Sequence, residues 1–185
     1  MASTAAPYGL KPVKRVDGMP YAGAVTEFLI DPAGTTASIY NGNTVYLSGG
    51  YITPSTDAGT AADPLVNVVG VFVGCSYVNA QGQQIWSQYY PTGTTGVITA
   101  KVVTDPQVLY QAQSSGSIAQ TEIGIEVGMN SGTQSGSATT GNGTNSVGAA
   151  NDAGASFTVV EIVSTPGDTY TDVLVKINSD VHKFG

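Results

Sequence analysis

The chain has 185 residues, 13 acidic and 6 basic, for a net charge of −7 with its histidine neutral. That balance repels a phosphate backbone and supplies no stripe of cations to release its counterions, so nucleic acid is excluded as an expected partner. Only 10% of the residues are charged, against roughly 25% in soluble domains at large; the resulting hydroxyl- and amide-rich surface suits contact with other proteins, because desolvating such groups costs far less than desolvating charges.

A chain of this length can bury about 70% of its unfolded surface, so one principal domain is expected. Its first feature is "APYGLKPVKR" at Ala6 to Arg15, with three of the six basic residues interleaved with two prolines. Residues 1–20 read as an extended arm outside the fold, stiffened by Pro7 and Pro12, and residues 21–185 as a β domain. The start "MASTAAPYG" has no apolar run behind a basic region, and nowhere do about 18 apolar residues follow one another, so neither export nor a membrane is expected.

Strands are then predicted at "TEFLI" (26–30), "NTVYLS" (43–48), "IWSQYY" (85–90), "GVITAKVVT" around Ile98, Ala100 and Val102, and "QVLYQAQ" (107–113). Each is short, rich in β-branched or aromatic residues, and bounded by Gly, Pro, Asn or Asp. The run Leu65 to Val78 is apolar on both faces, which predicts a central strand bent or bulged at Gly70 and Gly74. "NAQGQ" at 79–83 reads as the turn of a hairpin returning through Ile85 and Trp86.

Further on, "IGIEVGM" alternates Ile123, Ile125, Val127 and Met129 against Gly124, Glu126 and Gly128, the pattern of a half-buried strand. "SFTVVEIVS" (156–164) and "TDVLVKINS" follow, the second with Val173, Val175 and Ile177 inward and Leu174 out of step. "SIAQTEIG" allows one helical turn at most. The low-complexity stretch 130–155 has almost no anchoring side chain and is expected to be a mobile loop, dispensable for folding. The fold class is therefore all-β, a single-domain antiparallel β-barrel or β-sandwich with an extended N-terminal arm and a long Gly/Ser/Thr-rich loop.

Catalytic chemistry finds little support. The single histidine, His182, stands in a tail expected to be solvated, which precludes a His-based triad or a multi-histidine metal site within one chain. The lone Cys75, in an apolar run, reads as core. Glu122 and Glu126 do not form a convincing acid pair of the glycosidase type, and Asp31, Asp57, Asp63, Asp105 and Asp168 sit in turn-like segments whose backbone they can hydrogen-bond. No phosphate-binding glycine loop or calcium loop occurs. No enzyme activity, metal or cofactor is expected. Trp86, Tyr89 and Tyr90 in "IWSQYYP" are candidates for a surface or glycan contact, since such rings serve both sugar platforms and partly wet protein interfaces.

Taken in order, "APYGLKPVKR" with "DG" after it, "GVFVGCSYVNAQGQQIWSQYYP", "VVTDPQVLYQAQ" and "VLVKINSDVH" resemble small virion structural proteins of tailed bacteriophages and cyanophages, encoded beside the major capsid protein and described as capsid decoration or cement proteins. The blocks span most of the chain; 130–155 lies outside them. The resemblance implies a protein made in the host cytoplasm that binds the outer capsid surface of the virion and bridges neighbouring subunits. Its partners would be the major capsid protein and further copies of itself, a trimer being favoured over a dimer. Pro7, Tyr8, Leu10, Lys11, Pro12, Val13, Lys14 and Arg15 would then contact the capsid or a neighbouring copy, the apolar side chains as anchors and the cations against carboxylates. The alternatives are a carbohydrate-binding or adhesive β module displayed on a virion, or a tail or head-completion protein.

Overall fold

Short alternating segments become eleven strands in the computed structural model, which describes residues 3–130 and 134–184. They are β1 (Lys11–Arg15), β2 (Thr26–Ile30), β3 (Thr44–Ser48), β4 (Tyr51–Pro54), β5 (Val68–Val78), β6 (Gln84–Ser87), β7 (Ile98–Val103), β8 (Val108–Gln113), β9 (Glu126–Val127), β10 (Phe157–Ile162) and β11 (Asp172–Ile177). A 3₁₀ turn at Gln120–Glu122 occupies the segment expected to allow a single helical turn. All ladders are antiparallel. One sheet runs β1-β8-β11-β10-β9 and the other β2-β7-β5-β3-β4, with β6 paired to β5. Neither sheet closes into a barrel, so of the two expected architectures the sandwich is the one formed.

β5 explains its own apolarity on both faces by serving two cores. Val68, Val71 and Val73 face the core between the sheets, where they meet Val108, Tyr110, Phe157, Val173 and Val175. Val69, Phe72 and Cys75 face the second core, enclosed by the curl of the second sheet together with Ile30, Val45, Ile52, Ile98, Ala100 and Val102. That sheet curls far enough to bring its end strands β2 and β4 side by side without a ladder between them. The expected bulges are present, at Val69 and Val73, each one residue before a glycine. Gly70 is required there: a Cβ on it would stand 1.9 Å from the Val103 carbonyl oxygen. Such bulges restart the alternation, letting one strand feed both cores.

The N-terminal segment corrects the sequence reading. Residues 11–15 are not a free arm but the edge strand β1 on β8, and Leu10 is 0% exposed in the core between the sheets. Period 2 failed to reveal this strand because Val13 is the extra residue of a bulge between Pro12 and Lys14, and Pro12 itself reads as a breaker. Proline is tolerated because β1 is an edge strand with a bulge. The outer edge of β1 is in turn covered by the chain's return: the Arg15 N–H donates to the Met19 carbonyl at 2.7 Å and the Tyr21 N–H to Val13 at 3.1 Å.

A second correction concerns 130–155, of which 131–133 lie outside the described residues. From Gln134 onward the stretch is stitched into the sandwich and does not project as a mobile loop. Val147 is 0% exposed, its N–H donates to Gln113 at 3.0 Å and its carbonyl accepts from Ser115 at 2.7 Å. Gly136 packs so tightly that a Cβ would lie 2.1 Å from the Tyr40 ring. Backbone hydrogen bonds and close glycine approach hold this segment, and composition does not register either.

The tail is also packed. The Val68 N–H donates to Val181 at 3.0 Å and the Lys183 N–H to Val68 at 2.7 Å, so His182 is 5% exposed and not solvated as expected. Its Nδ1 accepts from the Phe184 N–H at 3.1 Å, and its buried Nε2 has no partner among the described residues. Burial holds the imidazole below the usual histidine range, a push that Lys176 reinforces and Asp105 opposes. The folded chain therefore takes up this proton less readily than the unfolded chain, whose histidine titrates near 6.5. Stability is expected to fall as pH drops below about 6.5 and to level off once the folded-state value is passed. Urea midpoints at pH 7.5 and 5.5 read this, and His182→Gln should flatten the difference; an unchanged pH difference in that variant would assign the effect to carboxylates.

Candidate binding groove beside the N-terminal strand

β1 and the turn that follows it place the residues predicted to meet a partner. Tyr8 is half-buried, and its hydroxyl donates to Asp172 Oδ1 at 2.9 Å; burial first and the carboxylate second push its pKa up. Pro7 is half-buried, lining a separate hollow with Gln113 and Tyr170, and Pro12 lies opposite Tyr110. Lys14 pairs with Glu161, and Arg15 lies 3.4 Å from Asp105 and 3.7 Å from Asp17. Two of the three cations expected to seek carboxylates elsewhere thus already have them within the chain. Lys11 does not: its Nζ sits 4.4 Å over the Tyr8 ring, with no carboxylate partner among the described residues. Of the predicted anchors Leu10 is consumed by the core, leaving Val13, turned outward by its bulge and joined on the same hairpin by exposed Val16 and Met19.

Lys11 and Pro12 form one wall of a groove of about 560 Å³. Tyr21, Gly23 and Val25 continue that wall as the chain returns toward β2, while Asn41, Val73, Gln88 and Asn142 line the rest. A smaller hollow of about 220 Å³ shares Val73 and Gln88 and reaches Trp86 and Lys101. The two make one depression across the junction of the sheets. Its lining holds amides, two lysines and two aromatic rings, and no carboxylate.

Trp86 points outward because alternate residues of β6 turn away from the sheet, and it is 67% exposed. The Lys101 ammonium lies 4.8 Å from its ring centre and 3.2 Å from Glu27 Oε1. Tyr89 is half-buried and stacked on Tyr40, with ring centres 5.4 Å apart. Tyr90 is 0% exposed in the second core, which withdraws it as a surface contact. After Ser87 the chain leaves the β6 ladder, and Tyr90 instead exchanges backbone hydrogen bonds with Ile39 at 2.7 and 3.1 Å, reversing the side that alternation assigns it. Sequence reading missed Tyr21, Asn41, Gln88 and Asn142, which no local pattern unites.

Cys75 is core as expected, its thiol pushed up to about 12 by burial and so unreactive. Among the described residues no three or more His, Cys, Asp or Glu side chains group where they could hold a metal ion. The groove is carried on an all-β sandwich. No protein-family model, curated protein or solved structure matches the chain.

Proposed function

We propose that this protein is a capsid decoration or cement protein, binding the outer surface of an assembled phage head and bridging neighbouring capsid subunits. The observation that carries the reading is the order of four sequence blocks, from "APYGLKPVKR" to "VLVKINSDVH", which resembles that of such proteins. A surface with few charges and an N-terminal hairpin presenting Val13, Val16 and Met19 support it, since interface cores are depleted in charge. Attachment on this reading rests on the hairpin's apolar side chains, with Lys11 as the cation left for a partner carboxylate.

Cementing follows from mass action: a protein that binds the assembled shell and not its dissociated subunits stabilises assembly. Each contact is weak, and many symmetric copies, themselves oligomeric, make the sum strong by multivalency. The reading gives the chain no catalytic role. Quantitative mass analysis of purified particles should find it at a copy number comparable to the major capsid protein. A handful of copies per particle would move it to the tail or connector.

A further inference from the structure

We propose that the depression running from Tyr21 and Lys11 past Val73 and Gln88 to Trp86 is a binding site for a chain of neutral hexoses or N-acetylhexosamines. The inference does not rest on the capsid reading. Three features carry it.

The first is the chemistry of the lining. The amides of Gln88 and Asn142 have no hydrogen-bond partner among the described residues, and Asn41 uses only its Nδ2, on the Val73 carbonyl at 3.3 Å. Amides offer donor and acceptor together, which matches hydroxyl groups that do the same. The second is the ring at one end. Trp86 is the only tryptophan in the chain, and a side chain of that size is seldom left so exposed. Lys101 covers one face of the indole and fixes its orientation, and the rest of the exposed ring is the outward platform for the apolar face of a sugar. The third is charge. No carboxylate lines the depression, Lys101 is paired with Glu27, Lys11 rests over the Tyr8 ring, and the net charge of −7 disfavours a polyanion.

A peptide strand fits less well. The outer edge of β1 is taken by Met19–Tyr21, and the Val73 carbonyl already accepts from Asn41, so neither offers an open ladder to join. The larger hollow, of about 560 Å³, is by itself within the size range of small-ligand sites.

Because Trp86 is the sole tryptophan, its emission reports on the depression alone. The full chain is titrated with maltohexaose, laminarihexaose, mannohexaose and chitohexaose, and in parallel with a mixed octapeptide pool. At least one sugar should shift or quench the emission saturably, with Kd at or below about 1 mM. Changing both Gln88→Ala and Asn142→Ala should weaken it about tenfold, the loss of two modest hydrogen bonds, with the thermal midpoint unchanged because neither amide is bonded within the chain. Trp86→Ala, followed by calorimetry, should abolish binding. No saturable change with any of the four sugars, a response to the peptides alone, or undiminished affinity in the double variant would each overturn the proposal, whatever the copy number on particles proves to be.

Discussion

A chain lacking residues 1–15 is expected to unfold at a much lower temperature than the full chain, or to be insoluble. Three losses combine. Leu10 leaves the core between the sheets, and truncating a fully buried leucine alone costs about 2 to 5 kcal/mol through lost transfer energy and the cavity left behind. β8 loses the strand that covers it, so its outer backbone edge from Val108 to Gln113 becomes an open template for aggregation. Tyr8 also abandons its bond to Asp172. For a chain of this size about 1 kcal/mol shifts the midpoint by 2 to 4 °C, so Leu10→Ala by itself should lower it by roughly 4 to 20 °C. Neutralising Lys11, Lys14 and Arg15 should do far less, about 1 kcal/mol or under per exposed pair. Thermal melts of the three variants check this ordering. A truncated chain that melts with the full one would show that β1 rests on the sandwich without supporting it.

Sequence reading located the strands that are bounded by turn residues and keep the same ladder partners along their length. "TEFLI" is β2 at the residues expected, and Val173, Val175 and Ile177 point inward on β11. Leu174, out of step, is buried as well, next to the bulge at Val160 in β10. Failures came where the chain changes partner. "IGIEVGM" has the right phase at Val127 and Met129, yet only Glu126–Val127 form a ladder, because Met129 is drawn aside to donate to Ala58 at 2.6 Å. β1 and β4 escaped because a proline and a short span erase the period. The groove was less legible still. Trp86 could be found from alternation in β6, but its companions come from five separate segments and meet only through the path of the backbone.

Replacing residues 130–155 with a short Gly-Ser turn should likewise abolish the native fold, although composition predicts a dispensable tether. Loop closure cannot be the reason, since each doubling of loop length changes its cost by only about 0.6 kcal/mol. What is removed is packing and hydrogen bonding. Val147 and Ala155 leave the buried interior, and burial of a valine side chain contributes about 1.5 to 3 kcal/mol. The backbone partners of Asn41, Gln113, Ser115, Glu126 and Gly128 vanish together, stranding groups on both sheets, and each buried group left unpaired costs about 1 to 3 kcal/mol. The sum reaches roughly the 5 to 15 kcal/mol by which whole domains are stable. Far-ultraviolet circular dichroism and a urea titration of the replaced chain should show loss of the cooperative transition, and Val147→Ala should lower the midpoint while keeping it cooperative. A replaced chain with native β signal and an unchanged urea midpoint would mean that the contacts of 134–155 form on a sandwich already complete without them. Asn142, and with it one wall of the groove, would then be the only functional reason for the segment's length.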